Sequence, residues 1–361
     1  MFKIALAQTR VHPGNPRQNA AIMKDFIAKA KAAHCDIVVF PELSIPGYFI
    51  GDIWDQPDYI DECVRFGDEI RDLSQGIAII FGNVAKETDR VNLDGRTRKY
   101  NAMFIAYNGK WLSPARSPYP FYIKTLLPNY REFSDIRYFT SLIEVAQERH
   151  AFPEDFLSPV QIPFDDGRKF RIGPLICEDS WDENYPFKPM HYLGKMYDID
   201  LFVNVSNSPF TLGKTQRRHR LFGQAIDKIH CPAIYVNCTG IQNNGKNIYT
   251  FDGASSTYQK DGSHHSACTP LQKNCSSSTS TKRPRPLRPR RRSSRKSRRS
   301  KIFTTASTTA SSTLWIPSAS IKSSSAYQAA STQRSTPPSM PRSCRRKTSF
   351  WSTCPAATIR T

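Results

Sequence analysis

Three short segments of this 361-residue chain each end an apolar run on a residue able to do chemistry. Asp36-Ile37-Val38-Val39-Phe40-Pro41-Glu42 delivers a carboxylate and Phe121-Tyr122-Ile123-Lys124 an ammonium. Gly173-Pro174-Leu175-Ile176-Cys177-Glu178-Asp179 delivers a thiol followed at once by two acids. A thiol nucleophile, a carboxylate base and a cation, each at a strand end, form a set able to attack an amide carbon. The thiolate is the reactive form and a free cysteine is mostly protonated at neutral pH, so a base and a cation are what such a thiol needs. By itself Cys177 reads as a small buried apolar residue. Cys35, Cys63, Cys231 and Cys238 lack any partner motif, and for them that reading stands.

Glu, Lys and Cys in this order resemble the carbon–nitrogen hydrolase (nitrilase) superfamily over residues 2–262. Pro41-Glu42-Leu43, Pro46-Gly47-Tyr48 with Asp52, and Leu127-Pro128-Asn129-Tyr130-Arg131-Glu132-Phe133 are similar to the glutaminase domain of glutamine-dependent NAD synthetases. Asn204-Val205-Ser206-Asn207-Ser208-Pro209-Phe210 with Gly213-Lys214 fits the same branch. The resemblance implies that Cys177 attacks the carboxamide of glutamine, that Glu42 moves the proton, and that Lys124 stabilises thiolate and oxyanion. It implies that Glu132, eight residues after Lys124, orients that lysine, with a surface charge as the alternative. Tyr130, Ser208 and Lys214 match glutamine-binding positions, although Lys214 also reads as a solvated helix residue. Glu178 would accept from the substrate α-amino group or support its neighbours. A cation with hydroxyl and phenol donors suits a free amino acid better than a bulky nitrile.

The elements that must position these residues are short apolar runs alternating with helical patterns. Strands are expected over residues 2–8, 36–40, 77–84, 101–107, 169–177, 200–206, 233–238 and 248–258. Helices are expected over 19–33, 59–74, 186–197 and 214–229. Lys260-Asp261-Gly262 after Ser256-Thr257-Tyr258 signals a hairpin, and Asn243-Asn244-Gly245 signals a turn. The pattern gives an α/β layered domain, which the resemblance narrows to a four-layer αββα sandwich of the nitrilase type. A Pro-rich loop over 113–120 interrupts the pattern just before Lys124. Arg217, Arg218, His219 and Arg220 read as a charged helix face, with a subunit contact as the second option.

The net charge of +20 invites a nucleic-acid reading, but its location argues otherwise. Residues 264–361 carry 20 of the 51 Lys and Arg and no Asp, Glu, Gly or Val, so the preceding residues balance 31 bases against 31 acids. A domain over 1–262 followed by a low-complexity, disordered basic tail over 263–361 is therefore expected. A second origin for the tail lies in the genetic code. Joining the third base of each codon to the first two of the next allows residues 325–336 to read GLSGGIDSALN. SGGIDS resembles the phosphate-binding loop of ATP pyrophosphatases such as the NAD synthetase ligase domain. The same frame allows FAEELLFIDIDK around residues 271–282. The tail is then out-of-frame translation replacing the start of that ligase domain, with the break between Gly262 and Leu271.

The opening residues alternate as a strand and not as a signal peptide. No apolar run is long enough to span a bilayer, and the nine cysteines have no metal or disulfide spacing. A cytoplasmic enzyme with no membrane partner and no specific nucleic acid is expected. The resemblance implies a homo-oligomer, and no cofactor for the glutaminase part. ATP and Mg would belong to the missing synthetase domain. A stand-alone amidase, nitrilase or carbamoylase is the second reading, and binding of nucleic acid through the tail the third.

Overall fold

Both faces of the first strand are apolar, which demands cover on two sides. The computed structural model describes residues 2–92, 95–243, 245, 247–272, 274–280 and 303–305. In it β1 (Phe2–Gln8) sends Phe2, Ile4 and Leu6 into one core and Ala5 and Ala7 into another. A crossover through α1 (Pro16–Ala32) leads to β2 (Ile37–Val39), and one through α2 (Pro57–Asp72) leads to β3 (Ala78–Val91). All three strands run parallel, as such crossovers require. Helix α1 starts where Asn15 accepts from Gln18 N and Pro16 takes the first turn. Its Met23, Phe26, Ile27 and Ala30 pack with Ile60, Phe66 and Ile70 of α2 on Val38, Ile79 and Phe81. Truncating a buried aromatic such as Phe26 to Ala would cost about 3–5 kcal/mol.

The first sheet continues antiparallel through β4 (Thr97–Tyr107), with β5 (Lys110–Trp111) and β6 (Tyr122–Ile123) both paired to β4. Helix α3 (Leu142–Glu148) follows, opened by a Ser141–Glu144 capping box. A second sheet is built from β7 (Val160–Pro163), β8 (Lys169–Ile176), then α4 (Pro189–Met196) and β9 (Leu201–Ser206), then α5 (Lys214–Ile229) and β10 (Ala233–Asn237). A separate hairpin, β11 (Thr239–Asn243) with β12 (Ile248–Asp252), precedes β13 (Ser256–Tyr258) and β14 (His264–Ser266). The second sheet has the order β14-β13-β10-β9-β8-β7. Strands β15 (Asn274–Ser280) and β16 (Phe303–Thr305) return to the first sheet, giving β16-β15-β1-β2-β3-β4-β5. The two sheets share one core, with Ile4, Leu6 and Ile80 facing Phe170, Ile172 and Val203, and with Leu193, Phe222 and Ile226 of α4 and α5 in the same cluster. This is the expected αββα layering.

Three expectations shift. Strand pairing passes the boundary at 262, because β14 pairs with β13 and β15 pairs along the whole of β1. The expected single strand over 248–258 is two, broken where Gly253 turns at φ +71° and Ala254 at φ +51°. A Cβ on Gly253 would meet Gln8 Cδ at 2.2 Å, so only glycine lets the chain pass there. The run Arg217 to Arg220 is not a solvated face throughout. Arg218 is 2% exposed, with its guanidinium 4.2 Å from the Tyr235 ring centre, because α5 packs that side onto the second sheet. The remainder of the basic tail, including residues 325–336, lies outside the described residues.

Candidate active site

Glu42 follows β2 in a turn where Leu43 takes φ +46°. Gly82 of β3 permits that turn, since a Cβ there would meet Leu43 N at 2.4 Å and Glu42 Cα at 2.5 Å. Gly82 N donates to Pro41 O at 3.0 Å, and Ser44 N donates to Gly82 O at 2.9 Å. Lys124 leaves β6, held to β4 by Ala102↔Ile123 pairing and by Lys124 N donating to Asn101 O at 2.9 Å. The Pro-rich loop therefore delivers Lys124 to the sheet through β6. Cys177 ends β8 in a left-handed conformation at φ +41°, unusual for a residue with a side chain. The chain turns there into a short 3-10 segment, Cys177–Ser180.

Asp179 joins two of these segments. Its Oδ1 accepts from Thr125 N at 3.0 Å and Leu126 N at 2.9 Å, and its Oδ2 from Ile176 N at 3.0 Å and Tyr122 OH at 2.9 Å. Burial still lifts its carboxyl to about 7, against these hydrogen bonds. The acid two residues after the thiol thus binds the cysteine turn to the lysine segment.

Lys124 Nζ donates to Glu42 Oε1 at 2.8 Å and to Asp135 Oδ2 at 2.9 Å. Burial pulls its ammonium down, but the Asp135 and Glu42 charges outweigh burial and hold it well above the usual lysine range. Tyr48 OH donates to the other oxygen of Asp135. The second carboxylate on the lysine is therefore Asp135 and not Glu132, a correction to the expectation. The segment after Tyr130 is irregular, and a 3-10 turn over Asp135–Arg137 buries Asp135 while Glu132 stays half-buried. Glu132 acts on Lys214 through its charge. The sequence signal for Asp135 was thin: it is one more acid after the quoted motif, eleven residues beyond Lys124.

Cys177 lies within the electrostatic reach of Glu42, Lys124, Glu178 and Lys214. Burial raises its thiol first, the Glu42 and Glu178 charges add to that, and Lys124 and Lys214 oppose it, for a net rise. The resting thiol is thus protonated. Glu42 and Lys124 are hydrogen-bonded to each other, and both charges act on Cys177.

The residues expected at the substrate also gather. Tyr130 OH donates to both Glu178 oxygens at 3.0 Å, and Tyr185 OH adds a third bond at 3.0 Å. Lys214 Nζ donates to Pro209 O at 3.1 Å and faces the rings of Phe133 and Trp181 at 5.8 and 5.9 Å. It makes no ion pair among the described residues, and burial lowers its pKa. Ser208 is buried with its backbone clasped by Asn237, at 2.9 Å through its N–H and 3.1 Å through its carbonyl. A cavity of about 250 Å³ is lined by Tyr48, Asp52, Glu132, Asp135 and Arg137 among others. Cys177 is not one of its walls. Asp52 there pairs with Arg137 at 2.7 Å.

Residues 3–279 match the carbon–nitrogen hydrolase family. The chain belongs to that family. Among curated relatives of this carbon–nitrogen hydrolase, the glutamine-dependent NAD(+) synthetase of Acinetobacter baylyi is 28% identical over 261 residues, covering 72% of this chain and 41% of its own. The enzyme of the same description from Synechocystis is 28% identical over 272 residues, covering 73% and 43%. A solved glutamine-dependent NAD+ synthetase from Acinetobacter baumannii, in complex with ADP, superposes with a TM-score of 0.61 at 25% identity, over 77% of this chain and 45% of that one. An amidase of the nitrilase superfamily from Nesterenkonia AN1 shares the fold, with a TM-score of 0.58 at 16% identity over 76% and 89%. This chain spans about two fifths of the length of the synthetases it matches. Among the described residues no helix is long and apolar enough to cross a membrane, and no group of His, Cys, Asp and Glu is arranged to hold a metal.

Proposed function

We propose that this chain hydrolyses the side-chain amide of glutamine to glutamate and ammonia through a thioester on Cys177. The observation that carries the reading is Lys214: a half-buried ammonium that among the described residues bonds only the Pro209 carbonyl and makes no ion pair, and that lies within electrostatic reach of the thiol and of Glu178. A free amino acid brings one carboxylate and one ammonium, and Lys214 and Glu178 offer one charge of each sign. In the first step the Cys177 proton passes to Glu42 as sulfur bonds to the carboxamide carbon. Lys124 uses two of its three N–H bonds on Glu42 and Asp135, which leaves one for the oxyanion. The C–N bond then breaks, Glu42 returns the proton to the departing nitrogen, and ammonia leaves. Water attacks the thioester with Glu42 as base, giving glutamate and the free thiol.

Similarity to glutamine-dependent NAD(+) synthetases supports a role in supplying ammonia for NAD synthesis, with the ATP- and Mg-dependent step assigned to the part of those enzymes that this chain does not span. We also hold that residues after 262 are read out of frame. Strand β15, Asn-Cys-Ser-Ser-Ser-Thr-Ser, occupies an interior sheet position beside the apolar β1. The shifted frame places Leu-Leu-Phe-Ile-Asp-Ile-Asp over the same codons, a composition suited to that position. Resequencing the DNA around codons 262–271 tests this, and a stretch with no alternative open frame would sink it. Ammonia release from glutamine, measured beside short aliphatic amides and nitriles, tests the activity. Preference for an aliphatic amide would favour the stand-alone amidase instead.

A further inference from the structure

We propose that Gln242, acting through Asn207, is a positioning residue that aims one oxygen of Glu42 at the Cys177 proton. The inference rests on the thiol chemistry above and concerns how its base is held. Glu42 Oε1 accepts from Lys124 Nζ at 2.8 Å and from Asn101 Nδ2 at 2.7 Å. Oε2 accepts from the backbone N–H of Asn207 at 2.8 Å. A carboxylate oxygen has about two lone-pair directions, so Oε1 is filled and Oε2 keeps one for a proton. The oxygen that reacts is thus the one Asn207 orients.

Asn207 lies just past β9, outside any strand or helix, so its position has to come from side-chain bonds. Its Nδ2 donates to Glu42 O at 3.1 Å, clasping the base at its backbone as well as its carboxylate. Its Oδ1 accepts from Gln242 Nε2 at 2.9 Å and from the Cys238 thiol at 3.0 Å. Gln242 comes from β11 and is fully buried. Its Oε1 accepts from the backbone N–H groups of Tyr48 at 3.0 Å and Phe49 at 3.1 Å. A circuit results. Glu42 bonds Lys124, Lys124 bonds Asp135, Asp135 bonds the Tyr48 hydroxyl, and the Tyr48 backbone returns through Gln242 and Asn207 to Glu42. Every member is buried, so each bond is strengthened by the low local dielectric and each break leaves a buried group unpaired. Cutting the circuit at Gln242 touches neither Cys177 nor the groups around Lys214.

The test uses the full chain with Gln242→Glu and Gln242→Leu. Gln242→Glu keeps the acceptor for Tyr48 and Phe49 but sets an oxygen against Asn207 Oδ1. Gln242→Leu removes both polar ends at similar volume. The first readout needs no substrate: the rate at which iodoacetamide alkylates Cys177, followed by mass of its peptide across pH. Because the Glu42 charge holds the thiol up, turning that carboxylate away from the Cys177 proton should lower the midpoint of the profile by about one pH unit in Gln242→Leu, which adds no charge, a tenfold change in the thiolate fraction. The second readout is glutamine hydrolysis, where kcat should fall about 10–100-fold with KM within threefold. An unchanged alkylation profile overturns the proposal. So does a change seen only alongside loss of the thermal transition in both variants, which would make Gln242 a packing residue. A shifted profile in a protein that does not turn over glutamine would keep the circuit and sink the glutamine reading.

Discussion

Lys124 and Lys214 are both desolvated lysines near one thiol, and their surroundings drive them in opposite directions. Lys124 is fully buried with two carboxylates in hydrogen-bond range, and it stays charged. Lys214 has a carbonyl and two aromatic rings, and burial lowers it. The contrast separates a floor that is electrostatically complete from a rim that is not. On the floor, Glu42, Lys124 and Asp135 satisfy one another before any substrate arrives, which suits groups that must not move during reaction. At the rim Tyr130 is 46% exposed and Lys214, though acted on by the Glu132 and Glu178 charges, makes no ion pair among the described residues, which suits groups that wait for a ligand.

The largest break in this contrast is removal of the nucleophile. Cys177→Ala should lower ammonia release from glutamine by about 10⁴-fold or more, with the thermal midpoint nearly unchanged. Ordinary turnover in that variant would refute the assignment. Next, Asp135→Asn should destabilise the fold by about 3–5 kcal/mol in denaturant titration, because it leaves Lys124 under-compensated in a buried site. Glu132→Gln, the exchange at the position expected from sequence, should change stability and kcat much less. Equal effects from the two would erase the distinction between floor and rim.

Rim variants should read out in binding. Lys214→Met and Tyr130→Phe are expected to raise KM for glutamine about tenfold or more while kcat changes less. The lowered pKa of Lys214 adds a pH signature. Its ammonium is lost on the alkaline side sooner than that of an ordinary lysine, so KM should climb as pH rises there. Lys214→Arg should flatten that climb, since a guanidinium stays charged. A KM that is flat with pH in the parent chain would count against Lys214 as the carboxylate anchor.

The smallest expected effect lies away from the site. Burial, then the stacked His264 ring at 3.8 Å, then Arg218 hold His219 down at about 4. Between pH 6.5 and 4 the unfolded chain takes up this proton and the folded chain does not, so stability is lost as pH falls. His219→Gln should flatten that acid limb by on the order of 1 kcal/mol, discounted for a half-buried ring. A steeper limb would reverse the sign of the argument.

Glu42, Lys124 and Cys177 were legible in the sequence because each follows a short apolar run, and a strand end is a local event that period and composition report. Helix α5, at Lys214–Ile229, was equally plain, for its pattern is contained in its own residues. Other elements depended on distant partners. Strand β15 has no apolar alternation of its own, and only pairing along β1 makes it a strand. The reading of Arg218 as a solvated charge failed because charge runs report nothing about which side of a helix meets a sheet.

Within the site, sequence determined which residue types are present and that three of them end strands. Tertiary structure alone decided that Asp135 and not Glu132 holds Lys124, because an irregular loop has no period from which to read burial. It alone brought Gln242 next to Tyr48 and Asn207, since hydrogen bonds spanning 194 and 35 residues leave no trace in local spacing. Local order follows from neighbours in the chain, whereas the orientation of a base is set by groups that meet only after the layers close.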